Sequence, residues 1–164
     1  EAGYPLTEAE YEACYFGMRC DEFLRERGIT DPKEREHLRL RKIALYPTFF
    51  DTVRLNEPLW NFFGNSNDRA DRLDGQSGQI DNAMRHLGIG GPDEDAPNGQ
   101  VDGILSGADV VRSKPAPDCF LEAMRREGCT PSETLIFEDS DVGIEAARRS
   151  GAGYFRIGKE AFHP

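Results

Sequence analysis

Two short stretches of this chain carry the side chains that could do chemistry. Lys114 opens the sequence Lys-Pro-Ala-Pro-Asp, in which the prolines hold the lysine in a stiff loop. Further along, the apolar run at residues 135–137 is followed directly by Glu138 and Asp139. An ammonium group and two carboxylates at the edge of an α/β sheet suit a site that binds a phosphate and a divalent metal ion.

The elements around these residues alternate between helix and strand. A helix is predicted from Pro117 to Gly128, and another over residues 142–149, closed by Gly151. Strands are predicted at residues 135–137 and 154–157, with short extended segments at 101–105 and 110–111. Strand, helix and strand in this order imply parallel pairing, so we predict an α/β fold with a Rossmann-like parallel sheet.

The N-terminal part of the chain has a helical pattern over residues 7–46. Thr7 is a predicted N-cap, Gly28 a predicted C-cap, and Pro32 opens a helix that Pro47 ends. We therefore divide the chain into a small helical region, residues 1–50, and an α/β core, residues 51–164. A plain helical bundle with a solvated charged face is the simplest interpretation of the first region.

The segment between these parts carries fewer signals. Residues 59–63 are a short aromatic run that predicts a buried strand, and Gly64-Asn65-Ser66-Asn67 predicts a turn directly after it. Residues 80–87 have a helical pattern, and residues 90–99 are rich in glycine, proline and acids, which predicts a loop.

Composition narrows the class of protein. The chain has 164 residues and a net charge of −10, which argues against a nucleic-acid partner. No apolar run is long enough to predict a membrane span, and the N-terminus lacks an apolar signal core. The four cysteines match no zinc or redox spacing. We expect free thiols in a soluble protein of a reducing, intracellular compartment.

Three segments in this order resemble the haloacid dehalogenase superfamily of phosphatases and phosphomutases. The resemblance is to members with a small helical cap, such as beta-phosphoglucomutase-like enzymes and phosphoglycolate phosphatases. Residues 114–121 resemble the family's lysine motif and residues 137–147 its acidic motif. Ser66, after the aromatic run, resembles its strand-terminal serine or threonine, and residues 7–46 resemble the cap.

The resemblance implies an Mg²⁺-dependent phosphatase or phosphomutase that acts on a small phosphorylated metabolite. Ser66 would donate a hydrogen bond to a phosphoryl oxygen, and Lys114 would place a positive charge near the same group. Glu138 and Asp139 would bind Mg²⁺. The residues leave other roles open: Ser66 in a turn, Lys114 in solvent, and the two acids as caps of the helix that begins near residue 141.

The resemblance also implies substrate contacts. Asn67 would contact the phosphate through its amide. Arg41 and Lys42 fall where cap helices of this kind often carry a basic pair, and they would attract an anionic substrate. A solvated helix face is the alternative for both cations.

One motif of the family is missing. Its first strand should end in Asp-x-Asp, with the first aspartate as nucleophile, but no apolar run of this chain is directly followed by that motif. Residues 49–53 and 71–75 have unsuitable residues or spacing. The core is therefore expected to lack its first strand. The alternatives are an enzyme whose nucleophile is not among these residues, and an inactive relative that serves as a structural or interaction subunit, with a protein partner that completes the sheet. A regulatory module that binds a phosphorylated ligand or a metal without turnover is a third.

Overall fold

The computed structural model describes residues 3–65, 72–75, 103–106 and 109–158. The N-terminal part forms α1 (Glu8–Cys14), α2 (Cys20–Glu26), α3 (Pro32–Leu45), a 3-10 helix (Tyr46–Thr52) and α4 (Glu57–Asn65). The remainder forms β1 (Arg72–Gly75), β2 (Gly103–Ser106), α5 (Asp118–Glu127), a 3-10 helix (Pro131–Glu133), β3 (Leu135–Glu138), α6 (Asp141–Ser150) and β4 (Gly153–Arg156). The predicted helix at 80–87, the predicted loop at 90–99, Ser66 and Asn67 lie outside the described residues.

Three of the predicted helix signals act as expected: Thr7 precedes α1, Gly28 follows α2 and Pro32 opens α3. Thr7 Oγ1 accepts a hydrogen bond from the Glu10 amide at 3.1 Å, and Asp31 Oδ1 accepts one from the Lys33 amide at 3.0 Å. Gly28 follows α2 with a φ of 82°, a left-handed conformation that costs glycine little. The prediction of a helical N-terminal part is confirmed.

The predicted strand at residues 59–63 is wrong, because these residues lie inside α4. A short apolar run cannot by itself distinguish a buried strand from a helix. The local signals decide for helix: Asn56 Oδ1 accepts a hydrogen bond from the Leu59 amide at 3.2 Å, and Pro58 lies in the first turn. The predicted turn is also wrong at Gly64 and Asn65, which belong to the same helix.

The described strands form two parallel pairs. β1 pairs with β2, with Arg72 opposite Gly103, and β3 pairs with β4, with Leu135 opposite Gly153. The crossover from β3 to β4 runs through α6, as the sequence pattern predicts. Parallel pairing confirms the α/β class. Residues 110–111, predicted to be extended, instead form bent backbone between β2 and α5.

The described core lies between β3 and the two helices α5 and α6. It is built from Met124, Ile136, Ala147 and Ala152, with Phe120 packed against them. Ala146 and Ala147 are completely buried, and their small side chains let α6 lie close to the sheet. This packing fixes the end of β3, where Glu138 and Asp139 stand. None of the described helices has the length and apolar character needed to span a membrane.

Candidate active site

Lys114 lies in a loop that is closed at its base. The backbone amide, Nε and Nη2 of Arg112 all donate to the Asp118 carboxylate, at 3.3, 3.1 and 2.8 Å. The Arg112 guanidinium holds the pKa of Asp118 below its usual value. Within this closure the Ala116 amide donates to the Ser113 carbonyl at 2.9 Å, and the Lys114–Pro115 peptide is cis. The loop that carries Lys114 is therefore closed by an ion pair and a backbone hydrogen bond.

The structure brings Lys114 and Glu138 together. Lys114 Nζ donates to Glu138 Oε2 at 2.8 Å, and the side chains are only 18% and 9% exposed. The ammonium also lies 5.2 Å from the centroid of the Phe120 ring, within cation–π distance. Burial would raise the pKa of Glu138, but the charge and hydrogen bond of Lys114, with those from Ser140, hold that pKa below its usual value.

The second oxygen of Glu138 is held by the start of α6. The amide and hydroxyl of Ser140 both donate to Glu138 Oε1, at 3.2 and 2.7 Å. Ser140 Oγ in turn accepts from the Gly143 amide at 3.1 Å, so Ser140, and not Glu138 or Asp139, is the N-cap of α6. A Cβ on Gly143 would lie only 2.0 Å from Glu138 Cδ. Glu138 therefore has a single well-defined position.

Asp139 stands beside Glu138 and, unlike it, is exposed. Partial desolvation, the negative charge of Glu138 and a hydrogen bond with the Glu138 side chain raise the pKa of Asp139. A divalent cation would relieve this repulsion. The described residues contain no group of three or more His, Cys, Asp and Glu side chains that could enclose a metal. Mg²⁺ needs only one or two protein carboxylates and keeps several waters, so this pair fits it.

No contact given above joins the proposed substrate-binding residues to Glu138 and Asp139. Arg41 and Lys42 are exposed near the end of α3, which packs against α2 and the 3-10 helix Tyr46–Thr52. Lys42 lies close enough to Cys20 to oppose the rise in the thiol's pKa that burial causes. Ser66 and Asn67 lie outside the described residues, and the segment before Ser66 is a helix, not the strand that motivated its assignment.

Sequence reasoning missed Ser140, although Ser140 followed by Asp141 and Gly143 is a recognisable helix start. It also missed β1, because Arg72 and Asp74 give that strand a polar pattern. The first hydroxyl residue that follows β1 in the sequence is Ser77.

Comparison with known proteins matches the same region. A family model described as haloacid dehalogenase-like hydrolase matches residues 97–157, which contain both the lysine loop and the acidic strand end. The chain is 44% identical over 50 residues to a fructose-1-phosphate phosphatase of Escherichia coli, a match that covers 30% of this chain and 27% of that protein. It is 40% identical over 58 residues to a beta-phosphoglucomutase of Mycobacterium bovis, covering 35% and 21%.

Solved structures show the same fold over a longer stretch. A hydrolase of this superfamily from Entamoeba histolytica matches with a TM-score of 0.71 at 20% identity, covering 96% of this chain and 70% of that one. The matched stretches span between about a fifth and about a quarter of the length of the curated relatives named above. The fold similarity therefore includes the N-terminal helices, while the sequence similarity is concentrated at the site.

Proposed function

We propose that the chain, whose residues 97–157 match the haloacid dehalogenase-like hydrolases, provides the phosphate- and Mg²⁺-binding residues of a phosphatase or phosphomutase site. The substrate would be a small phosphorylated metabolite. The observation that carries the proposal is the buried Lys114–Glu138 ion pair, with the exposed Asp139 beside it at the carboxyl end of β3.

Each of these side chains has a distinct task in the proposal. Phosphoryl transfer spreads negative charge over the equatorial oxygens, and Lys114 offers an ammonium group to neutralise part of that charge. Glu138 fixes the direction of Lys114, since its Oε2 accepts the lysine's hydrogen bond while Ser140 holds Oε1. Asp139 and Glu138 would bind Mg²⁺, which when bound adds further positive charge beside the phosphoryl oxygens.

The substrate contacts remain part of the proposal. Asn67 would contact the phosphate, and Arg41 and Lys42 would attract the rest of an anionic substrate. For the hydroxyl donor we consider Ser66 and Ser77, because β1 ends two residues before Ser77 in the sequence. Substituting each serine by alanine distinguishes them, since the donor's loss should lower turnover by about 10²–10³-fold.

The proposed enzyme needs a nucleophile, and no apolar run of this sequence is directly followed by Asp-x-Asp. An additional segment of the same protein or a partner chain would supply it. The alternative proposal is an inactive relative that serves as a structural or interaction subunit of a larger intracellular complex. The intact mass of the protein from its natural source separates them: a larger mass with Asp-x-Asp ahead of Glu1 favours the enzyme, and a mass matching this sequence favours the subunit.

The proposed activity is tested by Mg²⁺-dependent release of orthophosphate from a panel of sugar phosphates, 2-phosphoglycolate and nucleoside monophosphates. The assay uses the protein, and its variants, at the length found in the natural source. Asp139→Asn should abolish release. Asp141→Asn is the matched control, because Asp141 pairs with Arg156 in the first turn of α6 and has no role in the proposal. Unchanged turnover in Asp139→Asn would contradict the site assignment.

A further inference from the structure

Residues 17–22, which comprise the end of the connection between α1 and α2 and the first turn of α2, lie against the site. They contact the lysine loop through Glu22, whose Oε1 accepts a hydrogen bond from the Ser113 hydroxyl at 2.6 Å. Ser113 directly precedes Lys114 and is separated from Glu22 by 91 residues of sequence. A hydroxyl that donates to a carboxylate at this distance forms a strong, charge-assisted hydrogen bond.

The same segment contacts the start of α6 through Gly17, which lies in the connection between α1 and α2. Gly17 has a φ of 82°, and a Cβ at this position would lie 2.6 Å from Ser140 Cβ and Oγ and 2.8 Å from Val142 Cγ2. The backbone of Gly17 therefore packs directly on the serine that holds Glu138. No larger residue fits here unless Ser140 moves.

The segment that makes both contacts is itself held in place. The rings of Tyr15 and Phe23 meet edge to face with centroids 5.0 Å apart. Arg27 Nη1 donates to Glu10 Oε1 at 2.5 Å, which joins the end of α2 to α1. These contacts fix the connection between α1 and α2 relative to the two helices.

From these contacts we infer that residues 17–22 are a positioning segment for the Lys114–Glu138 pair. Glu22 acts on Lys114 through Ser113, and Gly17 acts on Glu138 through Ser140. The inference rests on the proposed function for its catalytic meaning, although the positioning itself is a property of the free protein. In this arrangement the helical region is part of the support of the site and not only a cover over it.

The test is the ammonium signal of Lys114 in ¹H–¹⁵N spectra of the free protein, without Mg²⁺ or substrate. A lysine held in a buried ion pair exchanges its ammonium protons slowly enough to be observed, and a released lysine loses that signal. We expect the signal in the wild-type protein, its loss in Glu22→Ala and Ser113→Ala, which remove the acceptor and the donor of this hydrogen bond, and its return in Ser113→Thr, which restores the hydroxyl. Glu26→Ala, on the exposed side of the same helix, should keep it.

The glycine contact has a matched control in this chain. Gly28 has the same φ of 82°, but a Cβ there would meet nothing within 4 Å. Both Gly17→Ala and Gly28→Ala carry the same backbone strain, and only the first displaces Ser140. We expect loss of the Lys114 signal in Gly17→Ala and its retention in Gly28→Ala.

Three results would overturn the inference: no Lys114 signal in the wild-type protein, equal signals in Glu22→Ala and Glu26→Ala, or equal signals in the two glycine variants. None of these measurements uses turnover. If the wild-type protein shows the Lys114 signal but releases no phosphate from any substrate, the proposed function fails and the positioning stands.

Discussion

At the scale of single residues, the site depends on one buried carboxylate. Glu138 accepts from Lys114 on one oxygen and from Ser140 on the other. A buried charge is tolerated in a protein when such partners replace the water it has lost. Removing one partner should therefore lower the free energy of unfolding by more than the net contribution of one hydrogen bond.

Lys114→Met tests this dependence. The substitution leaves Glu138 buried without its counter-ion, so we expect the free energy of unfolding at pH 7 to fall by about 1–3 kcal/mol. Adding Glu138→Gln should restore part of the loss, because the neutral amide needs no counter-ion. Urea denaturation measures both effects, with Lys33→Met on the exposed surface as control. Equal stability of Lys114→Met and Lys33→Met would show that the pair does not form in solution.

Gly143→Ala is expected to destabilise the protein, against the usual trend. Alanine favours a helix over glycine by about 1 kcal/mol. Here, however, the new Cβ would lie 2.0 Å from Glu138 Cδ, and overpacking of this kind costs about 1–3 kcal/mol. When Gly143→Ala is introduced into the Glu138→Ala variant, where no clash arises, it should no longer lower the unfolding free energy relative to Glu138→Ala alone. A more stable Gly143→Ala variant would mean that Glu138 does not lie over α6.

At the scale of elements, the sequence predicts best where strong signals coincide. β3 follows from an apolar run and α6 from a helical pattern with a closing glycine, and both form at the predicted place within one or two residues. α4 was predicted wrongly because the short aromatic run at residues 59–63 fits either type of element. The hydrogen bond from the Leu59 amide to Asn56 Oδ1, which marks the helix start, is visible only in the structure. β1 was missed because its pairing with β2, and not its own composition, makes it a strand.

Helix α6 should show a pH-dependent stability that originates in Glu145. Hydrogen bonds from Arg148 and Arg149 lower the pKa of Glu145 from 4.5 to about 2. A lowered carboxylate pKa stabilises the fold above the unfolded-state pKa, and this contribution is lost as the pH falls from about 4.5 towards about 2. Glu145→Gln should flatten the dependence of the unfolding free energy on pH within that window. An unchanged slope would show that the arginine pairs do not persist in solution.

At the scale of the whole molecule, the described part leaves aromatic surface uncovered. Phe62 and Phe155 are 55% and 59% exposed, and their ring centroids lie 5.9 and 5.7 Å from that of Phe137 between them. All four residues of β4 are exposed. Sequence patterning could not reveal this, because it predicts that an apolar residue prefers burial without showing what covers it.

The exposed aromatic rings should bind a hydrophobic dye. We expect Phe155→Ser to lower the fluorescence of bound 8-anilinonaphthalene-1-sulfonate relative to the wild-type protein, because it removes one ring of this group. Val111→Ser is the control, since Val111 is 93% exposed and belongs to the separate loop before Lys114. Equal fluorescence of Phe155→Ser and the wild-type protein would mean that this face is covered in solution.

The central claim is that the end of β3 is a divalent-metal site, and Mn²⁺ as a paramagnetic substitute for Mg²⁺ tests it without requiring turnover. We expect Mn²⁺ to broaden the amide signals of Asp139, Ser140 and Gly143 selectively in the wild-type protein. The same selective broadening should appear in Asp141→Asn and be absent in Asp139→Asn. Equal broadening of these signals in Asp139→Asn and the wild-type protein, or none in either, would contradict the claim.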